Sequence, residues 1–189
     1  STKLLDYIEQ LYNSRMKVKD ICVVKYKTKV PCANVPQWSY VIEHAYPIKS
    51  AFIKEILDKR KEWGIAYRNF SGKPHEAIEK LREEQQGFVP NATKDGIDIV
   101  WGEYTKPQKP GKKGGGYGLA HIRGRRYEDG KDGDKFLDNL ADLLINGNKY
   151  KKEGHTDRFY IGDGENEAAI RTNFNGNLWK WLNSAYPKD

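Results

Sequence analysis

Asn175-Gly176, set between two runs of β-forming residues, constrains the fold of this chain more than any other feature. Both residue types accept the left-handed backbone that a tight two-residue hairpin turn requires. Glu167 to Phe174 and Asn177 to Tyr186 are therefore predicted as the two strands of an antiparallel hairpin. Arg158 to Ile161 reads as a preceding strand, joined through the turn Asp163-Gly164-Glu165-Asn166. Alternation along the last strand puts Ser184 and Tyr186 on one face, and Asn183 and Ala185 on the other. Trp179 and Trp181 share a face and are expected in the core.

Helical periodicity dominates upstream of this sheet. Leu4, Leu5, Ile8, Leu11 and Tyr12 define one apolar face behind a Thr2 cap, and Phe52, Ile53, Ile56 and Leu57 define another. Val18 to Tyr26 fits a strand or a buried helix, and residues 27–47 read as an irregular connection. Pro74 suits a first helical position, with Ala77, Ile78 and Leu81 as the buried stripe and Gly87 as the terminator. Ile97 to Trp101 is short and β-branched, hence a strand. Residues 103–118, rich in Lys, Pro and Gly, are expected as a long flexible loop. Phe136, Leu137, Leu140, Leu143 and Leu144 give one more helix, ended by Asn146-Gly147. Helices first and a small antiparallel sheet last make an α+β chain.

The 189 residues carry a net charge of +7. Such a balance favours a polyanionic partner: nucleic acid, an acidic membrane surface or an acidic inhibitor protein. No apolar run reaches the length of a membrane-spanning helix. Cys22 and Cys32 form no CxxC and join no His/Cys cluster, so no structural zinc site is expected; two reduced thiols or one disulfide both fit. Ser1-Thr2-Lys3 lacks a signal-peptide pattern and reads as the edge of a piece cut from a longer protein.

Positive charge concentrates between Lys112 and Arg126, where a glycine run leads into Leu119-Ala120-His121-Ile122 and three arginines follow. If Leu119 opens a helix, His121 and Arg125 are neighbours at i, i+4, while Leu119 and Ile122 anchor the apolar side. An imidazole titrates near neutral pH and exchanges protons; arginine forks match phosphate oxygens and keep their charge. His121 and Arg125 are thus the leading catalytic candidates, with Ser184 as a donor to phosphate and Tyr186 as a donor or stacking surface. Lys112, Lys113, Arg123 and Arg126 are expected to bind phosphate, as are Arg158 and Arg171 from the middle strands, Arg171 ranking below Arg125. Arg158 and Tyr160 are read on one face, Arg171 and Asn173 on another. His155 reads as a solvated turn residue, and His44 and His75 as structural. Lys106, Lys109, Lys112 and Lys113 are expected to raise affinity without reading sequence, and Lys112 to Gly116 reads as a mobile electrostatic lip.

Five pieces of the chain together resemble a known family. They are Gly72-Lys73-Pro74-His75-Glu76-Ala77-Ile78, Gln85-Gln86-Gly87, Ile97-Asp98-Ile99-Val100-Trp101-Gly102, Gly116-Tyr117-Gly118-Leu119-Ala120-His121-Ile122 and Trp181-Leu182-Asn183-Ser184-Ala185-Tyr186. Their order is similar to that in the phage- and toxin-associated branch of the barnase–EndoU–colicin–RelE ribonuclease superfamily. Ser184 stands where that family typically has Thr, which keeps a hydroxyl. The resemblance implies a barnase-like ribonuclease domain over residues 71–189, with residues 1–70 as a helical extension or a delivery or linker region of a larger toxin. It implies a metal-independent endoribonuclease with no cofactor, cutting RNA, tRNA included, by 2′-OH attack to leave a 2′,3′-cyclic phosphate. It also implies action in a bacterial cytoplasm after delivery within a secreted or phage protein, and an acidic immunity or antitoxin partner. Two other readings stay open on the residues alone: a non-catalytic basic module that binds RNA or DNA, and another intracellular toxin enzyme such as an ADP-ribosyltransferase.

Overall fold

The computed structural model describes residues 62–189, together with the two-residue strands Val24–Lys25 and Thr28–Lys29, which pair antiparallel. The chain divides into two compact units, Ser1–Glu62 and Trp63–Asp189. The helices expected at Leu4–Tyr12 and Phe52–Leu57, both cysteines and His44 lie outside the described residues.

In the second unit, helix α1 spans Pro74–Glu84, with Pro74 in its first turn and Ala77, Ile78 and Leu81 buried. It stops earlier than Gly87 suggests. Gln85 takes the left-handed position itself, at φ 53°. Gly87 instead permits a close approach. A Cβ there would lie 2.4 Å from the Ile65 carbonyl oxygen, so only glycine lets these two backbones meet. Strands β1 (Phe88–Val89) and β2 (Ile99–Val100) pair antiparallel and are fully buried.

Residues 103–118 are not one long loop. Glu103–Thr105 (β3) and Gly115–Tyr117 (β4) pair antiparallel, which leaves only 106–114 as the connection. The glycines that read as flexibility permit this close pairing. At Gly116, with φ +114°, a Cβ would stand 2.0 Å from the Glu103 carbonyl oxygen. Helix α2 follows at once over Gly118–Glu128. The single helix expected around Phe136–Leu144 is two helices, α3 (Gly133–Asp138) and α4 (Leu140–Asn146). Asn139 breaks them: its N–H bonds back to the Phe136 and Leu137 carbonyls, which tightens the turn while leaving the apolar spacing intact.

The chain then forms β5 (Asn148–Tyr150), β6 (Arg158–Gly162), β7 (Asn166–Phe174) and β8 (Asn177–Pro187). These make one antiparallel sheet in the order β8-β7-β6-β5. The basic sequence of β5 gives no sign of a strand. The turn between β7 and β8 is the expected pair, with Asn175 at φ 49° and Gly176 at φ 83°. One sheet face, through Ile161, Ala168, Ile170, Leu182 and Ala185, packs on Leu81, Leu119, Ile122, Leu140 and Leu144 from the helices. The architecture is α+β, helices on one side of a small antiparallel sheet. Trp181 is buried, and Trp63, Phe174, Trp179 and Trp181 form an aromatic cluster with centroids 4.7–6.4 Å from the Trp63 ring.

Ile122 is fully buried at the centre of this core. Truncating it removes contacts that its neighbours cannot regain by collapsing. Ile122→Ala is expected to lower the unfolding free energy by about 2–5 kcal/mol. Urea unfolding of the 189-residue chain checks this; a loss below about 1 kcal/mol would mean that α2 does not key the core.

Candidate active site

Helix α2 organises the site through the rotation of its side chains. At 100° per residue, Leu119, Ile122 and Arg126 fall on one face. All three are buried. Arg126 thus occupies a core position. Its guanidinium donates to the Ala185 carbonyl at 2.7 Å and to Asp129 at 3.0 Å, and lies 5.4 Å from the centre of the Phe136 ring. Expected as a phosphate contact, it is instead the clasp that fixes α2 to the edge strand β8, because both terminal nitrogens already have protein partners.

His121, Arg125 and Glu128 fall on a second face. His121 is half-buried, with Nδ1 3.1 Å from the Gly115 carbonyl oxygen. A carbonyl can only accept, so Nδ1 carries the proton and Nε2 presents its lone pair. Among the described residues Nε2 has no hydrogen-bond partner. Burial pushes the imidazole pKa down, and the Arg125 and Arg126 charges push the same way against the Gly115 bond and Glu128. The ring is therefore a neutral proton acceptor at neutral pH. Arg125, one turn on, pairs with Glu128 at 3.3 Å and Asp129 at 3.8 Å. Glu128 also accepts the Tyr104 hydroxyl at 2.8 Å and the Gly114 N–H at 3.0 Å, which ties the β3–β4 hairpin to this face.

A cleft of about 410 Å³ opens between α2 and the end of β8. Lys113, Arg125, Arg126 and Lys131 line it with Ser184 and Tyr186, as do Asp129 and Asp189. The structure thus brings together Lys113, Arg125, Ser184 and Tyr186 from three separate stretches. His121 is not among the lining residues; it stands about 6 Å up the helix axis from Arg125. Lys112 is exposed in the hairpin loop and does not line this cleft. Arg123 is on the third face of α2, over the Trp101 ring at 5.1 Å and 3.7 Å from Asp134, and so is separated from Arg125.

The sheet contributes a polar cluster on the face turned away from the helices. The register, which alternation does not supply, pairs Arg158 with Arg171, so these two share a face. Asp157 bridges them, at 2.9 Å from Arg158 and 3.0 Å from Arg171. The hydrogen bond from Arg158 and the adjacent guanidinium charges hold the Asp157 carboxyl below its usual range. Arg171 also lies 5.9 Å from the Trp181 ring centre.

Glu167 belongs to no motif in the sequence, yet it anchors this end of the sheet. It is 1% exposed and accepts from Lys152 at 2.6 Å, from Tyr186 at 2.6 Å and from the Tyr150 hydroxyl. The one available signal is a carboxylate opening a run of Ala168-Ala169-Ile170 in a strand, a group that must find donors when buried. His155, read as a solvated residue, pairs through Nδ1 with the hydroxyl of buried Tyr160. Burial and the bond to Glu167 push the Tyr186 phenol well up. Its proton is engaged with Glu167, which leaves the ring and an oxygen lone pair to face the cleft.

A half-buried neutral histidine, a cationic cleft one turn away and hydroxyls on an edge strand are thus brought together around α2. Residues 92–189 match the family described as phage-barnase-EndoU-colicin E5/D-RelE like nuclease 1, and the chain belongs to this nuclease family. The match begins at Ala92, so the pieces around Gly72–Ile78 and Gln85–Gly87 lie before it. No curated protein and no solved structure matches the chain. Among the described residues no helix is long and apolar enough to cross a membrane, and no cluster of His, Cys, Asp and Glu is arranged to hold a metal ion.

Folding lowers the His121 pKa, so the folded state binds the proton more weakly than the unfolded chain does. Its effect on stability is absent above the unfolded value, about 6.5. Stability is then lost as pH falls from there through the folded value. Ring-proton NMR is expected to give a His121 midpoint below about 6.5. Chemical unfolding of His121→Gln is expected to show a smaller stability loss between about pH 7.5 and about pH 5 than the parent chain. An equal loss in both would contradict the burial of this ring.

Proposed function

We propose that this nuclease is an endoribonuclease that needs no metal ion and cuts RNA by attack of the ribose 2′-hydroxyl on the adjacent phosphorus. The supporting observation is the His121 geometry: Nδ1–H held by the Gly115 carbonyl, and Nε2 open one turn from Arg125. Nε2 removes the 2′-OH proton. The 2′-oxygen bonds to phosphorus, and the P–O5′ bond breaks. The 5′-oxygen leaves with a proton from water in the open cleft, and the other fragment ends in a 2′,3′-cyclic phosphate. Arg125 offsets the charge that builds on the non-bridging oxygens, the Ser184 hydroxyl donates to one of them, and Lys113 at the cleft wall draws the phosphate in. The Tyr186 ring, fixed by Glu167, borders the path of the strand. Arg158 and Arg171 extend positive charge across the outer sheet face.

Structured RNA such as tRNA is the proposed substrate class, because exposed loop bases and flexible riboses let the attacking oxygen align behind the leaving group. We further propose that the protein acts as a toxin in a bacterial cytoplasm, delivered within a larger secreted or phage protein. The phage association of its family supports this reading. A net charge of +7 and the cationic cleft suit an acidic immunity protein that covers the cleft in the producing cell. Residues 1–70 are proposed as the extension or delivery segment, separate from the nuclease domain that follows.

Incubation of the 189-residue chain with total RNA in EDTA is expected to give fragments with cyclic-phosphate ends, at a rate that rises with pH through the His121 pKa. His121→Ala is expected to lower that rate by at least about 10²-fold while the circular-dichroism spectrum stays that of the parent. Undiminished cleavage by this variant, or cleavage only with added metal, would overturn the mechanism.

The exposed Lys112 and Lys113 are expected to act mainly by neutralising phosphates. Replacing both by Ala should weaken RNA binding without altering the cleavage pattern. The slope of log K against log salt should flatten by about 0.7 for each phosphate that is no longer neutralised. Filter binding over a salt series reads this slope directly.

A further inference from the structure

The third face of α2 carries Ala120, Arg123, Gly124 and Tyr127, which take no part in the cleft described above. It looks onto a separate cavity of about 680 Å³, bordered on the other side by Trp101, Tyr104, Lys106 and Gln85. This volume lies within the range of sites that enclose a small organic ligand.

The walls are flat and fixed. The Tyr104 hydroxyl donates to Glu128 at 2.8 Å, and the Tyr127 hydroxyl donates to Asp134 at 2.5 Å. With both hydroxyls tied down, what each tyrosine offers a ligand is its ring. Burial and the Glu128 bond hold the Tyr104 phenol protonated. Gly124 makes the arrangement possible, since a Cβ there would stand 2.4 Å from the Tyr104 ring. The Arg123 guanidinium lies 5.1 Å from the centre of the Trp101 ring, and both groups line the cavity. Tyr127 is 50% exposed, far more than a core tyrosine would be. The Glu103 carboxylate and the Gln85 amide supply hydrogen-bonding groups at the rim, and Lys106 supplies a cation.

We propose that this cavity binds an unpaired nucleobase of the nucleic-acid substrate, held between the Tyr127 ring and the Arg123 guanidinium, with Lys106 on a neighbouring phosphate. The assignment of RNA as the ligand rests on the ribonuclease reading above. Aromatic and guanidinium planes stack on any base, and the rim groups at Gln85 and Glu103 favour bases whose edge carries an amino group. Glu128 joins the two sites physically. It bonds to Tyr104 in the wall of this cavity and to Arg125 in the cleft, so a base seated here sets the register of the strand that reaches Arg125.

The test uses the full chain and a fluorescein-labelled single-stranded RNA with 2′-O-methyl riboses, whose blocked nucleophiles prevent cleavage. A matched probe lacks bases but keeps the backbone. Tyr127→Ala is expected to weaken binding of the base-bearing probe by about 5- to 100-fold. It should leave binding of the abasic probe unchanged. Tyr127→Phe, which keeps the ring, should retain most of the affinity, and Arg123→Ala should lose affinity for the base-bearing probe more than for the abasic one. Circular dichroism confirms that each variant is folded. Wild-type affinity in both Tyr127→Ala and Arg123→Ala, or equal losses on the two probes, would overturn the proposal. Because the probe cannot be cut, a chain that shows this base-dependent loss but never cleaves RNA would sustain the pocket and refute the ribonuclease mechanism. Cleavage with unaltered probe binding would do the reverse.

Discussion

The burial of Leu119, Ile122 and Arg126 fixes the rotation of one eleven-residue helix, and both candidate sites follow from it. A helix free to turn by about 100° would move His121 from the cleft side into the core. Two apolar side chains resist that turn by keeping their surface from water. Arg126 resists it by direction, since its guanidinium satisfies a carbonyl of β8 only from one angle. A buried cation is costly to desolvate, so its retention at a core position makes sense as a device of orientation rather than of stability. Once the rotation is set, His121 and Arg125 point one way, Arg123 and Tyr127 another.

Carboxylates then decide what each cation can do. Asp157 stands between Arg158 and Arg171, which face each other across two strands and would otherwise repel. Glu128 restrains Arg125 and also receives the hairpin that carries Lys113. Glu167, buried under three donors, stiffens the β8 end where Tyr186 borders the cleft. The protein is strongly basic, yet its most firmly placed cations are the ones held by acids. The lysines of the 106–113 loop have no such acid paired with them among the described residues.

Much of this is legible in the residues. The Asn175-Gly176 turn, the α1 stripe and the anchoring of α2 by Leu119 and Ile122 depend on local backbone preference and on spacing along one element, and both are written in sequence. Local signals mislead where the interacting group is distant. The 103–118 glycines read as mobility because the carbonyl that crowds Gly116, that of Glu103, cannot be inferred from composition. Alternation cannot place Arg158 relative to Arg171, because that depends on which residue meets which across the turn. Arg126 and Arg123 look like companions of Arg125 in a basic run, and only the helix period separates the three. Glu167 and His155 carry no local signature because the groups they bond come from other strands and loops.

The two-strand ladder Glu103–Thr105 with Gly115–Tyr117 closes the ends of the lysine-bearing loop at a fixed separation. A change in the length of chain between them leaves the paired base of the hairpin, to which α2 is joined, in place. Doubling such a closed loop costs only about 0.6 kcal/mol of closure entropy. Insertions, deletions and charge changes at 106–113 are thus nearly neutral for folding while they alter the pull on a polyanion. On the proposed reading, drift in sequence at 106–113 retunes the capture of RNA while the paired strands keep Gly115 against His121.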